Sequence, residues 1–127
     1  MNGTNIVFDT CAVIKLLNRQ YDLSTLGINV DGARLLTSVI VRMELLAKPN
    51  LSAGEERDIR EFLNDLTVVP LDEVVEQEAV EIRRSTSTKL PDSIVAATAV
   101  VLNAILLTDD DRLLKLSWPG LKMVNIV

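Results

Sequence analysis

The chain has 127 residues, 48% of them hydrophobic and only 3% aromatic, with 18 acidic against 13 basic side chains and a net charge of −5. That length suits one domain over residues 1–127 with a core of its own, and the apolar content excludes disorder. The acidic balance argues against coating nucleic acid non-specifically, the single cysteine excludes an internal disulfide, and the lack of histidine removes the usual zinc ligand and proton-transfer pair.

With Phe8, Tyr21, Phe62 and Trp118 as the whole aromatic supply, the core must be aliphatic. That suits buried parallel strands covered by helices. Asn5 to Phe8 reads as a short apolar strand. Asp9 or Thr10 caps a helix to about Asn18, with Val13, Leu16 and Leu17 inward and Cys11 as small core filler. Residues 20–33 form a loop turning at Gly27 and Gly32. Ala33 to Thr37 is a second strand, and Ser38 caps a helix from Val39 to Lys48 that stops before Pro49. Ser52 and Glu55 form a capping box for a helix to about Leu66 with a solvated charged face. Thr67 to Leu71 is a third strand, followed by a helix from Glu73 to Ser85.

Pro91 opens the most apolar helix, Asp92 to Asn103. Ala104 to Thr108 is a fourth strand, Asp110 to Leu116 a short helix, and Lys122 to Val127 a fifth strand. Alternating strands and helices imply a parallel sheet with helices on both faces, where ligands bind at the carboxyl ends of the strands. The longest uncharged apolar run, Ser93 to Thr108, reads as helix plus strand and excludes a membrane span. No signal-peptide pattern is evident, so the expectation is a cytoplasmic soluble protein.

Four acids fall at strand-to-helix junctions or within apolar helices: Asp9, Glu44, Asp92 and Asp110. Each has a plain competing reading. Asp9 and Asp92 can cap helices, Glu44 can sit on an imperfectly amphipathic helix, and one acid of the Asp109–Asp110–Asp111 run can cap. Taken together they gather at one predicted sheet edge. Glu44 stands among Val39, Ile40, Val41, Met43, Leu45 and Leu46, which predicts burial. Carboxylates beside aliphatic side chains require a positive partner, and hard divalent cations with oxygen ligands suit them. Such a cluster would hold Mg²⁺ or Mn²⁺ and act on phosphate esters through an activated water.

The segments Phe8-Asp9-Thr10-Cys11, Ser38 to Leu46 around Glu44, Leu90-Pro91-Asp92 to Ala97, and Leu107-Thr108-Asp109-Asp110, in that order, resemble the PIN-domain family. Within it they are similar to the VapC-type ribonuclease toxins of toxin–antitoxin pairs. The resemblance covers nearly the whole chain. It implies an α/β fold, a three-layer α/β/α sandwich with a central five-stranded parallel sheet. It also implies Mg²⁺- or Mn²⁺-dependent endoribonuclease activity on structured RNA such as tRNA or rRNA. By the same resemblance Asp9, Glu44 and Asp92 are the core acids and Asp110 the fourth, with Asp109 and Asp111 as near alternatives. Thr10 and Thr108 match the supporting hydroxyls. A homodimer and a cognate antitoxin, whose C-terminal tail crosses the groove, are the implied protein partners. Leu113 departs from the pattern, since an aromatic often follows the fourth acid; the expected effect is on packing.

Arg83, Arg84 and Lys89 precede Asp92 and are candidates for contacting RNA, with Lys15, Arg42, Arg112 and Lys115 behind them. Two other readings compete. One is a non-catalytic PIN-like module that binds RNA or protein. The other is a phosphate-accepting receiver domain, which would need Asp72, after the third strand, as its acceptor.

Overall fold

Strand β1 (Asn5–Phe8) forms the middle of the sheet, and its Ile6, Val7 and Phe8 are completely buried. This is the computed structural model of the chain, and it describes residues 3–127. β1 pairs in parallel with β2 (Arg34–Ser38) on one side and β4 (Ile105–Thr108) on the other, with Phe8 opposite Thr37 and Leu107. β3 (Thr67–Val69) extends the sheet beyond β2, and β5 (Lys122–Asn125) extends it beyond β4. The order is therefore β3-β2-β1-β4-β5, all parallel. The chain winds outward from β1 to β3, then returns to start again at β4. A crevice opens at that reversal, between the carboxyl ends of β1 and β4, which is where open α/β sheets take their ligands.

Six helices cover the sheet: α1 (Thr10–Leu17), α2 (Val39–Leu46), α3 (Ala53–Asn64), α4 (Glu73–Ser85), α5 (Leu90–Val101) and α6 (Asp111–Leu114). The expected three-layer α/β/α arrangement is the one found. Helix α5 carries the core. Seven consecutive residues, Ser93 to Ala99, are buried on it, against α2, α4 and strands β1, β2 and β4. Ala96, Ala97 and Ala99 keep its surface small enough for that crowding. Thr98 buries its hydroxyl by donating to Ile94 O at 2.8 Å. Phe62 of α3 meets Phe8 edge-on, with ring centroids 5.8 Å apart. Leu113, standing where an aromatic was expected, fills its place on α6 with no exposure at all.

The caps expected at Asp9, Ser38 and Ser52 are the ones found. Ser52 and Glu55 bond reciprocally, and Asp72 accepts from Val75 N at 2.9 Å to open α4. Asp72 thus caps α4 after the edge strand β3, two strands away from β1 and its Asp9. Several boundaries move by a few residues: β3 stops at Val69, β5 at Asn125, and a single 3₁₀ turn (Leu23–Thr25) interrupts the expected loop, capped by Asp22. Helix α5 begins at Leu90, so Asp92 lies inside its first turn and Lys89 is the cap residue. No helix among the described residues is long and apolar enough to cross a membrane.

Candidate active site

Asp9 follows β1 directly, and its backbone N–H bonds Leu107 O of β4 at 3.1 Å. The side chain therefore stands in the crevice and is only 6% exposed. Its Oδ1 accepts from Thr10 N at 2.8 Å, which caps α1, and its Oδ2 accepts from the Thr108 hydroxyl at 2.8 Å. Thr108, fully buried, also accepts from Asp110 N at 3.0 Å. One hydroxyl thus joins the acid after β1 to the acid after β4. Burial pushes the Asp9 carboxyl up from its ordinary value, against the pull of Thr108 and Thr10, and the charge of Asp110 adds to the rise.

Glu44 reaches the same edge from α2. Its Oε1 accepts from the Thr10 hydroxyl at 2.8 Å. The burial expected of Glu44 is not found: the residue is exposed, as is Met43 at 58%. Helix α2 is short and inserts only Val41 and Leu45 into the core, so its other apolar side chains need not enclose an acid. Asp92 is half-buried in the first turn of α5. Burial raises its pKa first, then the charges of Asp110, Asp9 and Glu44, with Arg112 pulling the other way. The four acids therefore feel one another's fields. Asp92 makes no hydrogen bond or ion pair among the described residues.

The three adjacent aspartates divide their work. Asp109 forms an ion pair with Lys15 of α1, and Cys11 and Lys15 together hold its carboxyl below the usual range. Asp111 is exposed on α6. Asp110 accepts from Arg112 N at 2.8 Å, and its charge acts on both Asp9 and Asp92. Lys15, a candidate for RNA contact from the sequence, is instead committed to Asp109.

Cys11 was expected to be core filler, yet it is only partly buried and lies among polar groups. Its thiol contacts Asp9 Oδ2 at 3.6 Å and Thr108 Oγ1 at 3.5 Å, and it accepts from Asp109 N at 3.4 Å. Burial pushes it up to about 12, so it stays a neutral thiol. Its place two residues after Asp9, on the first turn of α1, was the available signal.

Among the described residues no three acids stand close enough to make a ready-made metal cage. The donor set nevertheless suits a hard cation. It is all oxygen and mutually repulsive, and Lys15 on α1 is already paired with Asp109. Mg²⁺ keeps several of its waters and binds through few carboxylates, so a loose set of acids suits it better than a tight cage would.

Beside the acids runs a groove of about 540 Å³, lined by Thr86 to Lys89, Asp92, Arg112 and Lys115 to Ser117. Of the four acids only Asp92 borders it. Of the basic candidates, Lys89, Arg112 and Lys115 line it. Arg83 and Arg84 do not; both are exposed near the end of α4, and Arg84 pairs with Glu81 at 3.4 Å.

The sequence profile of the PIN domain matches residues 6–119, a span that contains all four acids. The chain belongs to the PIN-domain family. Among curated proteins none matches it significantly in sequence. Solved structures with the PIN-like fold of this chain include VapBC2 from Rickettsia felis bound to a DNA fragment from its promoter. The TM-score there is 0.80 at 20% identity, covering 96% of this chain and 98% of the other. DNA-bound VapBC from Salmonella typhimurium gives 0.77 at 19% identity, over 98% and 99%. VapBC-5 from Mycobacterium tuberculosis, of the VapBC family of toxin–antitoxin systems, gives 0.74 at 19%, over 97% and 99%. At such identities the likeness is one of fold.

Proposed function

We propose that this PIN domain is a divalent-cation-dependent endoribonuclease of VapC type, the toxin of a toxin–antitoxin pair. The observation that carries the reading is the grip on Asp9. A buried carboxylate is fixed by Thr108 and by Thr10 N at the sheet's reversal point, with Glu44, Asp92 and Asp110 around it. Asp9, Glu44, Asp92 and Asp110 would hold Mg²⁺ or Mn²⁺. When bound, such a cation supplies water activation and charge neutralisation at a phosphodiester.

The chain's own residues prepare that chemistry. Thr108 fixes the Asp9 oxygens and, through Asp110 N, the start of α6. Thr10 holds Glu44 toward Asp9. Lys15 neutralises Asp109, so the charge left over belongs to the four site acids. With no histidine in the chain, attack by a ribose 2′-OH lacks its usual base, which favours hydrolysis by water. The substrate we infer is structured RNA such as tRNA or rRNA, cut in the cytoplasm by a homodimer that a cognate antitoxin holds in check. The VapBC assemblies of similar fold support that partner.

The test is cleavage of total tRNA and rRNA by the purified protein with Mg²⁺ or Mn²⁺ and with EDTA. Cleavage should require the cation and vanish in Asp9→Asn and Asp92→Asn. A cation-independent cut, or wild-type rates in either variant, overturns the site. A second reading, a non-catalytic PIN-like module that binds RNA or protein, predicts that the wild-type protein binds its partner and cuts no RNA with either cation.

A further inference from the structure

The groove beside Asp92 has a composition that the four acids do not account for. Lys89, Arg112 and Lys115 line it, and none is in a salt bridge among the described residues. Three cations against one acid, Asp92, in one groove are notable on a chain of net charge −5. Lys89 is the cap residue of α5 yet makes no capping hydrogen bond, and it sets a positive charge at the positive end of the helix dipole. Nothing in helix stability favours lysine there. Between the cations lie the hydroxyls of Ser87, Thr88 and Ser117, and Leu116 is the one aliphatic side chain in the lining.

The placement couples the groove to the acids. Lys89 stands at the cap of α5 and Asp92 lies in its first turn, while Asp110 caps α6 and Arg112 lies in its first turn. The start of each helix thus sets one acid of the site beside one cation of the groove. Phosphate oxygens are matched by ammonium, guanidinium and hydroxyl donors. Bases would need aromatic faces to stack on, and no aromatic residue lines the groove. An acidic peptide would also meet the cations, but Leu116 is the one aliphatic side chain there on which it could anchor.

We propose that this groove binds the sugar–phosphate backbone of the RNA strand on one side of the scissile bond, with Lys89, Arg112 and Lys115 each engaging a phosphate. The inference rests on the nuclease reading and deepens it: the groove tracks the strand, and it does so without reading base identity.

The experiment measures binding in EDTA, where no cleavage is needed. A short fluorescein-labelled single-stranded RNA is titrated by anisotropy over a range of KCl concentrations. Each of Lys89→Gln, Arg112→Gln and Lys115→Gln should lower the slope of log affinity against log salt by about 0.7, the value for one phosphate contact on a single strand. The loss should be the same for RNAs of different sequence. Arg112→Lys should keep the wild-type slope, and so should Arg83→Gln, which lies outside the groove. Circular dichroism melts confirm that the variants are folded.

Wild-type affinity and slope in all three glutamine variants would overturn the groove, as would a wild-type protein with no salt-dependent affinity for RNA. Equal binding of a polyglutamate peptide, with equal loss in the variants, would assign it to an acidic protein tail instead. A failed nuclease reading gives a different pattern, with the slopes as expected and no cutting when Mg²⁺ or Mn²⁺ is restored.

Discussion

Thr108 is the residue on which the site turns. Its hydroxyl donates to Asp9 and accepts from Asp110 N, in a place with no exposure. Thr108→Val keeps the shape and removes both bonds, leaving the part-buried Asp110 N–H and one oxygen of the buried Asp9 carboxylate without that hydroxyl. The expected loss is about 1–3 kcal/mol, read as a lower urea midpoint with unchanged slope. Asp110 and Asp109 separate by their partners. Asn caps a helix as well as Asp, so Asp110→Asn should fold normally and weaken cation-dependent cutting at least about tenfold. Asp109→Asn should leave cutting nearly intact.

Asp92 makes a pH prediction. Its folded value lies above the ordinary 3.8, so the folded state holds this proton more tightly than the unfolded chain does. The stability it contributes is complete below that ordinary value and is lost as pH rises through the elevated one. Asparagine carries no such charge. In EDTA, Asp92→Asn should therefore melt above the wild type at neutral pH by up to about 1 kcal/mol of stability, discounted for the residue's partial exposure. The gap should close as the pH falls toward 4. A variant that melts at or below the wild type at neutral pH would remove the repulsion argument. That Asp9, Asp92 and Asp110 stand at one edge of the sheet was legible in the sequence, because each sits where a strand ends or a helix begins; Glu44, inside α2, was marked only by its apolar neighbours. The exposure of Glu44 and the ion pair of Lys15 with Asp109 were not legible. Both depend on how neighbouring helices lie across each other, which spacing along one helix does not encode.

At the scale of elements, α5 both fills the core and carries Asp92. Ala97, buried among packed strands and helices, has no room to grow. Ala97→Leu should cost about 1–3 kcal/mol through overpacking and should also weaken cutting, since displacing α5 displaces its acid. Full cutting at full stability would show the helix to be less tightly held than its burial indicates. The apolar run from Ser93 onward made this helix evident, as the alternation of strands and helices made the parallel sheet evident. Less visible was the hydroxyl-rich stretch Thr86 to Thr88, which no pattern in the sequence singled out and which the fold sets in one groove with Arg112 and Lys115. Strand ends were also misjudged by a few residues at β3 and β5, where edge pairing alone decides how far a strand runs.

At the scale of the whole molecule, the proposed cation would relieve the repulsion that the acids at the crevice exert on Asp92. A ligand that binds only the folded state stabilises it by mass action, by about 2.7 kcal/mol at one hundred times its dissociation constant. Mg²⁺ should therefore raise the melting temperature of the wild type and do so less for Asp9→Asn. An equal rise in both would show that the ion binds elsewhere.

The strand order has one more consequence. Asp9 and Thr108, bonded at 2.8 Å, are 99 positions apart in the chain, and β4 must dock against β1 before either finds the other. A polypeptide emerging from the ribosome exposes its first aspartate early and the threonine that fixes it almost last. On the nuclease reading, the growing chain would lack the bond that fixes its site during nearly all of its own synthesis.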